Sequence, residues 1–193
     1  MNNLPQLRSF QSEMQQQIKS IIDESSGGPL KEKSILANIT CGGGKSILPL
    51  IAFKQLEEAN VIDRVAVICP RDSLAQQCAE GFEDPFFREL LDHRYSINEA
   101  TNCVDPCRGL SGYATTYQAI GADRSQINLH EFRRQRYLLC LDEIHHVSDG
   151  SNWHKQLAPL YEAATFVLMM TGTLERGDSQ KIAFLPYKEI EDE

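Results

Sequence analysis

The sequence contains no apolar run approaching the ~20 residues that a bilayer-spanning helix needs. Its opening, MNNLPQLRSFQ, has neither the basic nor the apolar region of a signal peptide. It has no internal repeats and no low-complexity segment, which argues against a solenoid or a disordered array. Cysteine offers little to bind metal. Of six thiols only Cys103 and Cys107 lie close together, and there is no second pair. His93 is a conceivable third ligand, but zinc sites draw on four closely spaced ligands, so a loop with two reduced cysteines is the preferred reading. Cys69 and Cys140 end or sit within apolar runs, where a thiol behaves as a small hydrophobe. Positive charge is also short: 19 Lys and Arg against 27 Asp and Glu give a net −8 and a pI near 5.2. That balance weighs against an extended basic surface for nucleic acid, although a local patch can be basic on an acidic domain. What remains is 193 residues, 41% hydrophobic and 24% charged, the composition of a globular protein of one good-sized domain or two small ones. A cytoplasmic location with no membrane partner is expected.

The chain is organised around residues 37–46, ANITCGGGKS. A β-branched apolar run (34–39) breaks into three glycines, then Lys45, Ser46 and a new apolar run. The pattern predicts a strand, a phosphate-sized loop and the start of a helix over 45–59. Glycines let successive N–H groups turn inward toward an anion. A helix N-terminus and Lys45 add positive charge, and the Ser46 hydroxyl suits magnesium. Ile39 stands where the full pattern has its first glycine. A Gly-rich turn without ligand is the alternative reading.

Apolar positions at Leu7, Phe10, Met14, Ile18, Ile21 and Ile22 predict an amphipathic helix over 7–22, ended by the loop 25–29. Short apolar runs at 34–39, 64–69, 112–117, 137–141 and 164–170 predict five strands. Helices are predicted over 74–80, capped by Asp72 or Ser73, and over 86–91, 129–136 and 153–164. The stretch 81–110 reads as the least regular part, a loop after its short helix, and the acidic tail 188–193 as unpacked. Strands alternating with helices make a parallel α/β sheet with right-handed crossovers, which binds ligands at the strands' C-terminal ends. The polar clusters lie at such ends. The run 137–141 leads straight into Asp142-Glu143. Asp142 can hold a magnesium ion between phosphates, and Glu143 can orient and deprotonate a water. A solvated helix cap is the alternative for two acids after a strand. For that chemistry the lysine-bearing turn and the acidic pair are expected to end neighbouring strands and face one pocket.

Asp142-Glu143-Ile144-His145 resembles motif II of the superfamily-2 helicases, the DEAD/DEAH-box group. Residues 40–46 are similar to their motif I, 69–76 to motif Ia, 114–120 to the Ib/Ic region and 171–173 to motif III. Residues 7–11 are similar to the upstream glutamine motif. Residues 141–146 and 171–176 look closest to the res subunit of type III restriction enzymes. Ile144 stands where DEAH proteins have alanine, and Leu174 where many relatives have proline. The resemblance implies a three-layer RecA-like P-loop NTPase domain with a mainly parallel sheet, ATP and Mg2+ as cofactors, and ATP hydrolysis driving a helicase or translocase. Position by position it implies that Gln11 contacts adenine, with Arg8 or Phe10 nearby. It places Thr40, Cys41, Gly42, Gly43, Gly44, Lys45 and Ser46 around the phosphates, and Ser46 and Asp142 on the metal. Glu143, Lys45 and His145 would be catalytic, and Thr171, Gly172 and Thr173 would couple hydrolysis to movement. Arg71 and Thr116 would touch a nucleic-acid strand, with DNA preferred over RNA; a surface charge and a strand end are the plain alternatives.

Cys41 near a helix N-terminus is a candidate oxidation site. His145, His146 and His154 suggest a metal cluster, but Asp142 and magnesium account for the site more simply. Residues 1–193 are expected to form one ATP-binding domain, with 1–30 an adenine-motif helix and linker. The 20 residues after Thr173 are too few for the second RecA-like domain that such motors use, and Arg176 lies too near motif III to replace its arginines. The chain therefore reads as the first domain of a longer protein, with weak activity alone. The competing reading is an ATP-responsive binding or recruiting subunit that separates no strands.

Overall fold

A computed structural model of the chain describes residues 6–25, 27–40, 44–100, 105–123, 126–175 and 177–187. It begins with helix α1 (Ser9–Ser25), strand β1 (Ser34–Asn38) and a 3₁₀ turn (Lys45–Ile47) that runs into α2 (Leu48–Glu58). β2 (Arg64–Cys69), α3 (Asp72–Glu83), α4 (Pro85–Leu91), β3 (Ile97–Glu99) and β4 (Gly112–Thr116) follow. The rest is α5 (Tyr117–Gly121), α6 (Ile127–Arg134), β5 (Tyr137–Leu141), a second 3₁₀ turn (Ile144–His146), α7 (Asn152–Ala163) and β6 (Phe166–Thr171). Six strands form one sheet in the order β1-β6-β5-β2-β4-β3, and every strand pair is parallel.

Alternation along the strands builds two cores. Val65, Val67 and Cys69 of β2, with Leu138, Cys140, Phe166, Leu168 and Met170, pack under α1 to α4. Ala66 and Ile68, with Tyr113, Leu139, Leu141, Val167 and Met169, pack under α5 to α7. Both faces of β2, β5 and β6 are covered, which is why these strands read as continuous apolar runs. The result is a helix–sheet–helix sandwich, the expected α/β architecture. Among the described residues no helix is long and apolar enough to cross a membrane.

Several expectations need correction. The glycine turn and the acidic pair do not end neighbouring strands: β6 lies between β1 and β5. Residues 97–99, expected in a loop, form the edge strand β3, paired to β4 by Ile97↔Gly112. Tyr117, expected in a strand, opens α5. Neither Asp72 nor Ser73 caps α3; Arg71 is the N-cap, with no side-chain bond, and Asp72 sits in the first turn. Pro49 lies at the start of α2, where no helical bond is lost. The paired strands approach closely at Gly112, where an added Cβ would lie 1.9 Å from the Val65 carbonyl oxygen.

The zinc reading is excluded for one pair of its residues. Cys107 Sγ lies 3.2 Å from the Tyr137 hydroxyl in the core under α5 to α7. His93 stacks on Tyr95, which packs against the opposite core. Cys103 lies outside the described residues, as do Arg176 and the tail 188–193.

Candidate functional site

The parallel sheet brings the C-terminal ends of β1, β6 and β5 together. Beyond β1, Gly44 takes φ 93°, a conformation that costs glycine alone nothing. Its carbonyl accepts a hydrogen bond from Gln11 Nε2 at 3.4 Å. Gln11 is itself buried, and its Oε1 accepts from Arg8 N–H at 2.9 Å. The α1 glutamine thus rests on the glycine turn. Cys41, Gly42 and Gly43 lie outside the described residues. Thr40 follows β1, Lys45 is buried, and Ser46 beside it is exposed.

Beyond β5 the chain turns at Glu143, whose φ of 49° costs a non-glycine residue ~1 kcal/mol. The carboxylate held there is the hub of the site. Glu143 Oε1 pairs with Lys45 Nζ across 98 positions of sequence, with both side chains largely buried. Glu143 Oε2 accepts from Gly172 N–H at 3.1 Å, and His145 Nδ1 stands 3.3 Å away. Burial pushes the Glu143 carboxyl up, but the Lys45 hydrogen bond and charge, Gly172 N–H and His145 outweigh it and hold it below its ordinary value.

Thr171, fully buried at the end of β6, links the elements. Its hydroxyl donates to the Thr173 carbonyl at 2.7 Å and accepts from Thr173 N–H at 3.3 Å. With that proton committed, His145 Nδ1, 2.9 Å from the same oxygen, must be the donor. The Nδ1–H therefore points between Thr171 and Glu143.

Asp142 is pushed up to about 6. Burial is the main cause, the Glu143 charge adds to it, and Lys45 partly offsets both. A carboxylate so placed would gain from a cation, and with the Ser46 hydroxyl it offers hard oxygen donors. Among the described residues no three of His, Cys, Asp and Glu converge as a protein metal cage. This donor set fits magnesium, which keeps several waters and takes few protein ligands. His154 is held apart by Gly150 N–H and Asp149, so the three histidines do not converge.

Lys45, Ser46, Asp142 and Glu143 line one cavity of about 450 Å³. Its other walls are Gly44, Pro49 of α2, Val67 and Cys69 of β2, Met170 of β6, and Leu74, Gln77 and Cys78 of α3. The α3 wall was not foreseen. Helical spacing from Leu74 carries the signal, since i+3 and i+4 place Gln77 and Cys78 on its face. Burial pushes the Cys69 and Cys78 thiols far up, so both stay protonated.

The two expected nucleic-acid contacts end adjacent strands, because Cys69 pairs with Thr116. Arg71 is exposed. Thr116 is buried, and its hydroxyl caps α5 by accepting from Ala119 N–H at 3.2 Å.

The family model described as type III restriction enzyme, res subunit, matches residues 4–176. The uncharacterized protein ML1624 of Mycobacterium leprae is 26% identical over 159 residues, covering 80% of this chain and 25% of the relative. Rv2917 of Mycobacterium tuberculosis is 27% identical over 158 residues, covering 81% and 25%. The chain thus spans about a quarter of the length of these curated relatives. Among solved structures, the Sulfolobus solfataricus SWI2/SNF2 ATPase core in complex with dsDNA superposes with a TM-score of 0.59 at 18% identity, covering 89% of this chain and 33% of that one. For the UvsW helicase from bacteriophage T4 the values are 0.58, 17%, 91% and 56%. For the Pyrococcus furiosus Hef helicase domain they are 0.59, 17%, 89% and 34%. These likenesses bear on the fold, and the match over 4–176 on the family. The chain belongs to the type III restriction enzyme res-subunit family, and its fold is the RecA-like α/β fold shared with these structures.

Proposed function

We propose that the chain is the ATP-binding motor domain of an ATP-dependent nucleic-acid helicase or translocase, and that it hydrolyses ATP in the 450 Å³ cavity. The observation that carries this reading is the meeting of Lys45 with Glu143 in the cavity that also holds Ser46 and Asp142. Residues that follow β1 and β5 bring together there the charges that phosphoryl transfer requires.

The glycine turn and Lys45 would cradle the phosphates, and Gln11 would read adenine from α1. Ser46 and Asp142 would hold magnesium, which would supply positive charge against the phosphates. Lys45 would leave Glu143 for the phosphates as nucleotide enters. Glu143, relieved of that partner, would accept a proton from the water that attacks the γ-phosphorus, and ADP would leave with the broken bond's electrons. His145 and Thr171 to Thr173 tie the Glu143 carboxylate to the end of β6, so its release from Lys45 would be felt there.

Arg71 and Thr116 would face a nucleic-acid strand at the ends of β2 and β4. DNA is favoured because the SWI2/SNF2 structure is a complex with dsDNA. Since the chain spans a quarter of its relatives, the reading includes a second RecA-like domain that closes the site and supplies arginines. Such a group is worth ~10³–10⁵ in rate, so the single domain would turn over slowly.

The test is phosphate release by the full-length protein with and without DNA or RNA. Stimulation by nucleic acid, abolished by Glu143→Gln, is expected. ATPase activity indifferent to both polymers would replace the motor by a recruiting subunit, and no ATP turnover at all would overturn the reading.

A further inference from the structure

Helix α3 carries two adjacent glutamines with different surroundings. Gln76 Nε2 donates to Glu80 Oε1 at 2.9 Å, an i,i+4 pair on the exposed flank. Gln77, turned about 100° further around the helix, is also exposed but lies on the stripe with Leu74 and Cys78 that walls the cavity. Its amide makes no hydrogen bond among the described residues.

The other groups on the cavity wall narrow what this amide can do. The Glu143 carboxylate is engaged by Lys45, Gly172 N–H and His145. Asp142 and Ser46 are the hard donors that a cation would take directly. Pro49, Val67 and Leu74 carry no polar side-chain atom, and Cys69, Cys78 and Met170 offer only sulfur, a weak acceptor. Gln77 Oε1 is therefore the uncommitted side-chain carbonyl oxygen on this wall. Magnesium keeps several of its six oxygen positions as water, and those polarised waters need acceptors around them.

We propose that Gln77 is a positioning residue for the metal: its carboxamide oxygen accepts a hydrogen bond from magnesium's water shell and so strengthens metal binding to the nucleotide complex. The inference rests on the nucleotide reading above. It assigns α3, which supplies no direct ligand in that reading, to the outer sphere of the cation.

The experiment is a titration of the 193-residue chain with fluorescent ADP, first without metal and then with Mg2+ at fixed ADP. Gln77→Leu should lower the apparent Mg2+ affinity about 3- to 10-fold, the yield of one hydrogen bond, and leave metal-free ADP affinity unchanged. Gln77→Glu keeps an oxygen acceptor at the same reach and should restore the metal response. If Gln77→Leu matches wild type in Mg2+, or weakens ADP equally with and without metal, the inference fails while the nucleotide reading stands. A wild-type chain that binds no ADP overturns the nucleotide reading and this inference together.

Discussion

The pair Lys45–Glu143 sets up a competition that can be measured. Without nucleotide the ammonium is held by Glu143, so an incoming phosphate must displace a carboxylate before it gains the lysine. Side-chain exposures of 10% and 14% place the pair in the interior regime, not among surface pairs worth 0–1 kcal/mol. Two unit charges in contact attract by roughly 4 kcal/mol at an effective dielectric of 20, and desolvation returns part of that. Glu143→Gln keeps an oxygen for Lys45 but removes the charge, which should release about 1–2 kcal/mol to phosphate binding. ADP measured without metal should then bind about 5- to 30-fold more tightly. The carboxyl lies below its ordinary value, so the pair is intact above that value and lost only as pH falls through the lowered one. The effect should therefore hold from pH 7 to 8, above the range in which Asp142 titrates. Equilibrium titration with fluorescent ADP in EDTA is the assay, with circular dichroism confirming the fold. Unchanged or weaker binding by a folded Glu143→Gln chain would refute the competition.

Gly112→Ala should cost ~3 kcal/mol or more in urea unfolding, because the new Cβ meets backbone at Val65, which cannot rotate away; a loss under 1 kcal/mol would contradict the register of β2 with β4. Thr171→Val keeps the shape but leaves the Thr173 carbonyl and His145 without their hydroxyl partner. A loss of ~2 kcal/mol is expected by the same measurement, and an unchanged stability would remove Thr171 from the network. Asp63 is held below the usual carboxylate range by hydrogen bonds from Arg136, and both side chains are partly exposed. Its contribution, ~0.5–1 kcal/mol after screening, is present above the ordinary carboxyl value and disappears as pH falls through the lowered one. Asp63→Asn should thus destabilise at pH 7, with the difference shrinking as the medium is acidified below the ordinary carboxyl range; an effect that does not diminish on acidification would rule out the ion pair as its cause.

Much of the fold is visible in the chain because β2, β5 and β6 are apolar on both faces and end in turn or acidic residues. β3 escaped because it is three residues long at an edge, and Asn98 and Glu99 break any apolar run. α5 escaped because Tyr117 suits a strand as well as a helix; its place is decided by the Thr116 cap and by stacking on Trp153, 5.6 Å away. Strand order is set by crossovers between distant segments, so the insertion of β6 between β1 and β5 leaves no local trace. At the site, Lys45 after its glycines and Asp142-Glu143 after an apolar run stand out in the sequence, and the structure brings them to one cavity. The Lys45–Glu143 contact, the Gly172 N–H and the α3 wall arise only when the sheet assembles.

The central claim is that the cavity at the ends of β1, β6 and β5 binds a nucleotide through Lys45. Its most direct test is equilibrium binding of fluorescent ADP with Mg2+ to the wild-type chain and to Lys45→Ala. Saturable binding that the substitution weakens at least 30-fold, with secondary structure unchanged, is the predicted result. Equal binding by the two folded chains would place the nucleotide elsewhere.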